Sequence, residues 1–303
     1  MLEQLAVYFG RNITLRGSGR LLSMFYPCKH NADRYVHGVR ARADGLLMEV
    51  DSRSWIDWNL LFRGEYEPHI TCLFRRLASV GGVAVDIGAN IGTHTLTLAQ
   101  ILGPTGTVLA FEPNPLVRSV LERNVALNGF LGAHVFDCAL GNKPSILPLR
   151  VPKADSFEYS NMGLTSLVAL DTPHNLVEVQ VCTLDDIVRQ AGLTRVDLVK
   201  IDVQGYECRV LAGMQEVLAN HSPVVIFEHD AWAWAKAGAT LADAIALFQR
   251  TGYSLWRLGS GREASIKLLG RIDLIPPCID LLALKRDDSR LDLLLSEAPT
   301  WER

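Results

Sequence analysis

The stretch VAVDIGANIG at residues 83–92 restricts what this chain can fold into more than any other. Apolar residues run into Asp86, a glycine-bearing turn follows, and THTLTLAQIL then reads as a helix. That layout is a buried parallel strand feeding a ligand-binding turn in an α/β sheet. The turn, Gly88-Ala89-Asn90-Ile91-Gly92, is not a dinucleotide fingerprint, because Asn90 stands where G-x-G-x-x-G needs its second glycine. Asp86, two residues before Gly88, would repel a phosphate but accepts hydrogen bonds from an ammonium group directly or through water.

The next apolar strand, TVLAFEPN, ends at Glu112. A carboxylate after the second strand accepts both hydroxyls of a ribose. Asp86 and Glu112 together describe S-adenosylmethionine better than NAD.

From residue 83 the chain keeps an α/β rhythm: strand 83–87, helix 92–102, strand 107–111, helix 115–128 and strand 133–137. Gly103-Pro104 stops the first helix, Pro115 stands near the start of the second, and Gly129 closes it. The rhythm breaks at residues 141–182, which read as an inserted strand or β-hairpin followed by a return strand, VEVQVC. Long insertions at the ligand edge of a sheet are more often functional than ornamental. Thr183 caps a helix with acidic residues in its first turn. Strand VDLVKID then ends at Asp202, a helix spans about 205–219, and strand PVVIFEHD ends at Glu228, His229 and Asp230. Helix 240–250, a strand at 253–258 and an antiparallel last strand at 279–285 complete a seven-stranded doubly wound sheet. Its ligand belongs at the carboxyl ends of the strands, where Asp86, Glu112, Asp137, Asp202 and Glu228 fall.

Upstream, residues 1–80 read as a cap packed on the core, with helical spacing at Leu2, Leu5, Ala6 and Phe9, and with β-structure from Gly45 to a turn at Gly64. A helix at 67–78 leads into the central strand. The main domain is 81–290, and 291–303 form a tail.

Within 303 residues and 49% hydrophobic content, a large core is readily buried. A net charge of −3 disfavours a long nucleic-acid partner. The six cysteines lack C-x-x-C spacing, which argues against disulfide scaffolding and a zinc site. No apolar run is long enough to span a bilayer, and the N-terminus does not resemble a signal peptide, so the chain reads as cytoplasmic.

Several motifs together resemble the FkbM-type methyltransferase family: GEYEP at 64–68, VDIGANIGTHTL, FEPNP, CALG at 138–141, TLDDI, and above all LVKIDVQGYECRVLAG at 198–213. The last is similar to the family pattern K-I-D-x-E-G-x-E-x-x-V-L, from which Gln204 departs where glutamate is usual. The resemblance spans roughly residues 60–230. It implies a Rossmann-like class I methyltransferase sheet and S-adenosylmethionine-dependent methylation of a hydroxyl, commonly on a sugar or natural product.

On this reading Gly88, Ala89, Asn90, Gly92, Glu112 and Pro113 hold the nucleoside, with Asp86 at the methionine end. Asp137 and Cys138 flank the adenine. Tyr66 and Glu67, by resemblance, close over the methionine end. Asp202 stands where sulfonium and incoming hydroxyl meet, favouring the cation and able to take the proton, and with Glu228 and His229 it is a candidate catalytic group, the imidazole being a candidate general base. Lys200 and Glu207 are structural, paired with each other or with neighbours. Asn161, Gly163, Thr165, Ser166, Trp232 and Trp234 are candidates for the acceptor pocket. A Mg²⁺ ion between Asp202 and Glu228 is weighed and not favoured. The partner is a small-molecule hydroxyl acceptor, with self-association left open. Rival readings are an RNA or protein methyltransferase, marked by a basic face at Arg11, Arg16, Arg20, Lys29, Arg34, Arg40 and Arg42, and a catalytically silent cofactor-binding module.

Overall fold

The computed structural model describes residues 2–12, 18–28, 33, 35–152, 166–168, 174–259, 265–269 and 275–296. Among them, an eight-stranded sheet runs in the order Ile266–Leu268, Tyr253–Leu258, Cys278–Lys285, Val224–Asp230, Leu198–Ile201, Val83–Ile87, Thr107–Phe111, Ala133–Phe136. The last five of these are mutually parallel. Cys278–Lys285 runs antiparallel to both its neighbours, as the sequence leads one to expect. The eighth strand, Ile266–Leu268, is the addition: three residues paired on the outer edge of Tyr253–Leu258, too short to carry an alternation signal of its own.

All five residues of Val83–Ile87 are buried, because helices cover both faces of the sheet. One face packs Val85, Phe111, Val199, Phe227, Trp234 and Phe248, and the other packs Ile70, Leu98, Ile226 and Leu282. From Val83–Ile87 the chain steps outward to Ala133–Phe136, then returns to the opposite side with Leu198–Ile201. That reversal leaves a crevice at the carboxyl ends of Val83–Ile87 and Leu198–Ile201, the ligand position of doubly wound sheets.

Short-range chemistry sets the helix ends. Asn114 accepts the Leu116 N–H, Pro115 takes the first helical position, and Gly129 closes the helix Pro115–Asn128 at φ 66°. Thr183 accepts the Asp186 N–H to start Leu184–Gln190. The helix expected over 205–219 is two helices, Glu207–Ala212 and Gln215–Asn220. They part at Gly213, where a β-carbon would lie 1.9 Å from the Gly141 carbonyl oxygen, and Asp185 caps the second by accepting the Glu216 and Val217 N–H groups.

The segment before residue 64 corrects the β reading. Strand Leu47–Asp51 pairs with His37–Ala41, but Trp55–Phe62 is a helix. Residues 57–62 of that helix are all buried, so no apolar stripe of helical period shows in the sequence. The hairpin is fastened to helix Pro115–Asn128 through backbone groups. The Glu49 N–H donates to Asn124 Oδ1 (2.7 Å) and the Leu47 N–H to Asn128 Oδ1 (2.9 Å). Buried Arg42 donates to the Thr93 carbonyl (2.8 Å) and Thr97 Oγ1 (2.9 Å) at the start of helix Thr93–Leu102.

The insertion is a hairpin as expected. Ser145–Pro152 pairs antiparallel with His174–Cys182, from Ser145↔Val181 to Pro152↔His174, and Ala139–Leu140 joins His174–Cys182 in parallel. No helix among the described residues is long and apolar enough to cross a membrane.

Candidate functional site

A cavity of about 290 Å³ opens at the crevice. The glycine turn supplies one wall through Gly88, Ala89 and Asn90, and the strand beside it supplies Phe111, Glu112 and Pro113. Facing them are Trp55, Ile56 and Tyr66 from the N-terminal region, and Leu149 and Leu167 from the insertion. Asp202, Gln204 and Glu228 form an acidic end.

Backbone builds the turn. The Gly88 and Ala89 N–H groups both donate to the Phe111 carbonyl (3.0 Å each). Gly88 has φ 81°, and a β-carbon there would lie 1.8 Å from the Asp202 carbonyl oxygen, so no other residue fits between these strand ends. Asn90 also adopts the left-handed region, φ 51°, and its Oδ1 accepts the Ile91 N–H (2.7 Å). Glu112 is buried beneath the turn, with the Asn90 N–H on Oε2 (3.0 Å) and the Asn114 N–H on Oε1 (2.9 Å). Burial pushes its carboxyl up to about 7 against those two donors. Each oxygen keeps a further lone pair for a ligand hydroxyl.

The acidic end is a network around one ammonium. Lys200 is 1% exposed, and its Nζ lies 3.8 Å from both Asp202 Oδ2 and Asp280 Oδ1. Burial works to lower its pKa, but Asp202, Asp280, Glu67 and Glu228 outweigh it, so the ammonium stays charged. Gln204 Nε2 donates to Asp202 Oδ1 (3.0 Å) and reaches Glu228 Oε2 (3.4 Å). Asp202 is raised by burial, against the pull of Lys200, and Glu228 is raised to about 8 chiefly by the Asp202 charge and then by burial. On the helix side, His94 Nε2 lies 2.8 Å from Glu67 Oε2 and His69 Nε2 lies 2.9 Å from Asp280 Oδ2. Burial opposes ionisation of Glu67, but the His94 hydrogen bond and the Lys200 charge hold it well below the usual carboxylate range. Burial and the neighbouring Glu67 raise the Tyr66 phenol.

Of the residues expected here, Tyr66, Gly88, Ala89, Asn90, Glu112, Pro113, Asp202 and Glu228 do line the cavity. The other described ones are not on its wall, for identifiable reasons. Asp86 is 1% exposed and accepts the Thr95 hydroxyl (2.6 Å) behind the wall. Gly92 caps helix Thr93–Leu102, its α-carbon packed so closely that a β-carbon would meet Leu121 Cδ1 at 2.6 Å. Glu67 lies beneath Tyr66, bound to His94. The strand stops at Phe136, which leaves Asp137 exposed and Cys138 packed in the core, so Ala139 and Leu140 reach the cavity instead.

His229 is turned away. Neighbouring side chains on a strand alternate faces, and with Glu228 toward the cavity, His229 packs edge-on against Trp234 (4.7 Å between rings) beside Phe227. Trp232 is 56% exposed on helix Ala231–Lys236, with the Lys236 ammonium 3.9 Å over its ring. Trp234 is a core residue that donates Nε1–H to Glu207 Oε2 (2.8 Å). Glu207 pairs with that indole and with the Val203 and Gly205 N–H groups rather than with Lys200. Ser166 is buried and donates to the Gln204 carbonyl (2.9 Å), while its neighbour Leu167 takes the wall position. Asn161, Gly163 and Thr165 lie outside the described residues.

Sequence reasoning missed Trp55, Ile56, His94, Leu149, Leu167 and Tyr206 on the wall and His69 and Asp280 behind it. Only His94, two residues after the glycine turn in VDIGANIGTHTL, and Tyr206, within LVKIDVQGYECRVLAG, carried a local signal.

Comparison with known proteins bears on the same residues. The family model for the methyltransferase FkbM domain matches residues 86–255. Methyltransferase 1 of Beauveria bassiana (strain ARSEF 2860) is 33% identical over 146 residues, covering 44% of this chain and 58% of that protein. The 31-O-demethyl-FK506 methyltransferase FkbM of Streptomyces tacrolimicus is 28% identical over 199 residues, covering 58% of this chain and 74% of the relative. The hexuronic acid methyltransferase AglP of Haloferax volcanii is 29% identical over 172 residues, covering 55% and 63%. The chain therefore spans less than two thirds of the fungal and archaeal relatives. The family match runs from the Asp86 strand end through both acidic strand tips to the strand Tyr253–Leu258, and on that extent the chain belongs to the FkbM methyltransferase family.

Proposed function

We propose that this protein transfers a methyl group from S-adenosylmethionine to a hydroxyl of a small molecule, a sugar or a natural product bearing one. The observation that carries this reading is a single cavity with Glu112 under a glycine turn at one end and the Asp202–Glu228 pair at the other. The cavity fits the cofactor on its own chemistry. Gly88 admits no side chain, Phe111 and Leu140 offer apolar surface for a base, and Glu112 has lone pairs left for ribose hydroxyls. When bound, the cofactor supplies an electrophilic methyl on a sulfonium.

The chain's own residues then have three tasks. Gly88, Ala89 and Glu112 bind and orient the nucleoside. Leu149, Leu167 and Trp55 exclude water and seat the acceptor, which matters because aligning the two reactants accounts for much of the acceleration in such a displacement. At neutral pH the Asp202–Glu228 pair holds a proton, since Glu228 is raised to about 8, and its ionised member accepts the acceptor's hydroxyl hydrogen and positions the oxygen. The carboxylates also favour a cationic donor over the neutral thioether left after transfer. In this reading residues 1–80 form the cap on the acceptor side, 81–290 the catalytic domain with the insertion 141–182, and 291–303 a tail.

The relatives named for a hexuronic acid and for 31-O-demethyl-FK506 support the substrate class. An RNA substrate is disfavoured because Arg11 donates to the Leu61 and Ala41 carbonyls, Arg40 pairs with Glu3, and Arg42 is buried, which removes three members of the basic face. Calorimetry with S-adenosylmethionine, followed by labelled methyl transfer to a panel of uronic acids, glycosides and macrolides, tests the reading. Cofactor binding with transfer to a hydroxyl is expected. Binding without transfer to any member favours the silent module, and no binding removes the proposal.

A further inference from the structure

The acidic end of the cavity presents ligands of the kind a divalent ion takes, and two nitrogen groups of the chain already sit among them. Asp202, Glu207 and Glu228 each offer an oxygen within 4.8 Å of the others. Glu207 is engaged on both oxygens, by the Val203 and Gly205 N–H groups and by the Trp234 indole. Between the remaining pair lies the Gln204 amide, which turns its N–H donors to both carboxylates. An amide nitrogen offers hydrogens there and no lone pair for a metal.

From the sheet side comes Lys200, whose Nζ is buried and has no hydrogen-bond partner among the described residues. A buried ammonium without hydrogen bonds is costly unless opposite charge surrounds it. Here Asp202 and Asp280 flank it at 3.8 Å, with Glu67 and Glu228 farther out. The other titratable groups facing it are occupied elsewhere: Asp86 by Thr95, His69 by Asp280 and His94 by Glu67.

We propose that Lys200 and Gln204 together take the place of a divalent cation in this cluster, the ammonium by its charge beside Asp202 and the amide by its N–H donors to Asp202 and Glu228, so that the carboxylates at the cavity are held without a metal. A divalent ion needs several oxygen ligands at close range, and Mg²⁺ demands near-octahedral geometry. The neighbouring ammonium repels it, and the amide as oriented here turns N–H donors rather than its oxygen toward the two carboxylates. Changing either group removes that obstacle: Lys200→Ala deletes the competing charge, and Gln204→Glu adds a carboxylate between two others. The proposal deepens the function argued above and rests on it only where methyl transfer is concerned.

Mn²⁺ titration followed by electron paramagnetic resonance and calorimetry, on the full chain, decides the matter. Wild type is expected to bind Mn²⁺ at this cluster at best weakly, while Lys200→Ala and Gln204→Glu, checked for folding by circular dichroism, bind it about tenfold more tightly or better. Adding Asp202→Asn to either variant should abolish the gain. Gln204→Glu changes a part-buried residue at the cavity and keeps the test alive if Lys200→Ala does not fold. Mn²⁺ binding by wild type as tight as by the variants, and removed by Asp202→Asn, overturns the proposal, as does failure of every folded variant to gain a site. Methyl transfer by wild type should survive chelation. Loss of transfer with cofactor binding retained overturns the metal-free cluster and leaves the proposed function standing, whereas absence of cofactor binding overturns the function while the Mn²⁺ titration still decides the cluster.

Discussion

At the glycine turn the cavity wall is backbone: two N–H groups on one carbonyl, a glycine wedged against the next strand, and a carboxylate held by two more N–H groups. Across the cavity the wall is side chains drawn from distant stretches: Trp55 and Ile56 from a buried helix, Leu149 and Leu167 from the inserted hairpin. The first wall tolerates almost no substitution, because backbone geometry is shared by every group on it. The second can change residue by residue while the fold persists. This division suits a scaffold that keeps one ligand and varies the other, and it can be tested from both sides.

The largest effect is expected at Gly88. Gly88→Ala combines a positive φ with a β-carbon placed inside a carbonyl, and should cost about 3 kcal/mol or more of stability in denaturant unfolding. An unfolding midpoint like that of wild type would show that the wall is not rigid. Next is Glu112→Ala, expected to weaken S-adenosylmethionine by about 1.5–3 kcal/mol in calorimetry; unchanged affinity would remove Glu112 from the cofactor side.

The acidic pair predicts a pH dependence. Glu228 has a folded pKa, about 8, above its unfolded value, so its contribution to stability is full below the unfolded pKa of about 4.3 and is lost as pH rises through the folded one. Unfolding midpoints should therefore decline from mildly acidic pH toward 8. Glu228→Gln should flatten this trend, because it removes the group that titrates near 8; a profile superimposable on wild type would deny its role.

On the side-chain wall, Trp55→Ala should raise the acceptor KM while leaving cofactor affinity unchanged, and the reverse pattern in steady-state kinetics would merge the two walls. The smallest effects are expected at His229→Asn and Trp232→Ala. Both should hold kcat within about threefold of wild type, whereas removal of a general base costs about 10²–10⁴-fold.

Legibility in the sequence follows the same division. The parallel strands, the helix caps at Thr183 and Pro115, the turn and Glu112 all depend on residues within a few positions of one another, and these were readable. So was the hairpin nature of the insertion. The helix Trp55–Phe62 was not, because burial on all sides erases periodicity, and the short strand Ile266–Leu268 lacked length. His229 illustrates a finer limit. A strand-end histidine looks catalytic in one dimension, and which face it takes depends on register against Cys278–Lys285, where Glu228 pairs with Asp280.

The amino-acid order alone determined the α/β rhythm, the crevice at the strand tips and the carboxylates that stand there, because each is a local consequence of strand, turn and cap chemistry. Only the tertiary structure decided which of those carboxylates reach the cavity. It also brought Lys200, His69, His94 and Asp280 together, since Asp280 lies 80 residues beyond Lys200 and meets it only when strand Cys278–Lys285 inserts beside Val224–Asp230. Electrostatic energy depends on distance in space, and distance along the chain says little about it.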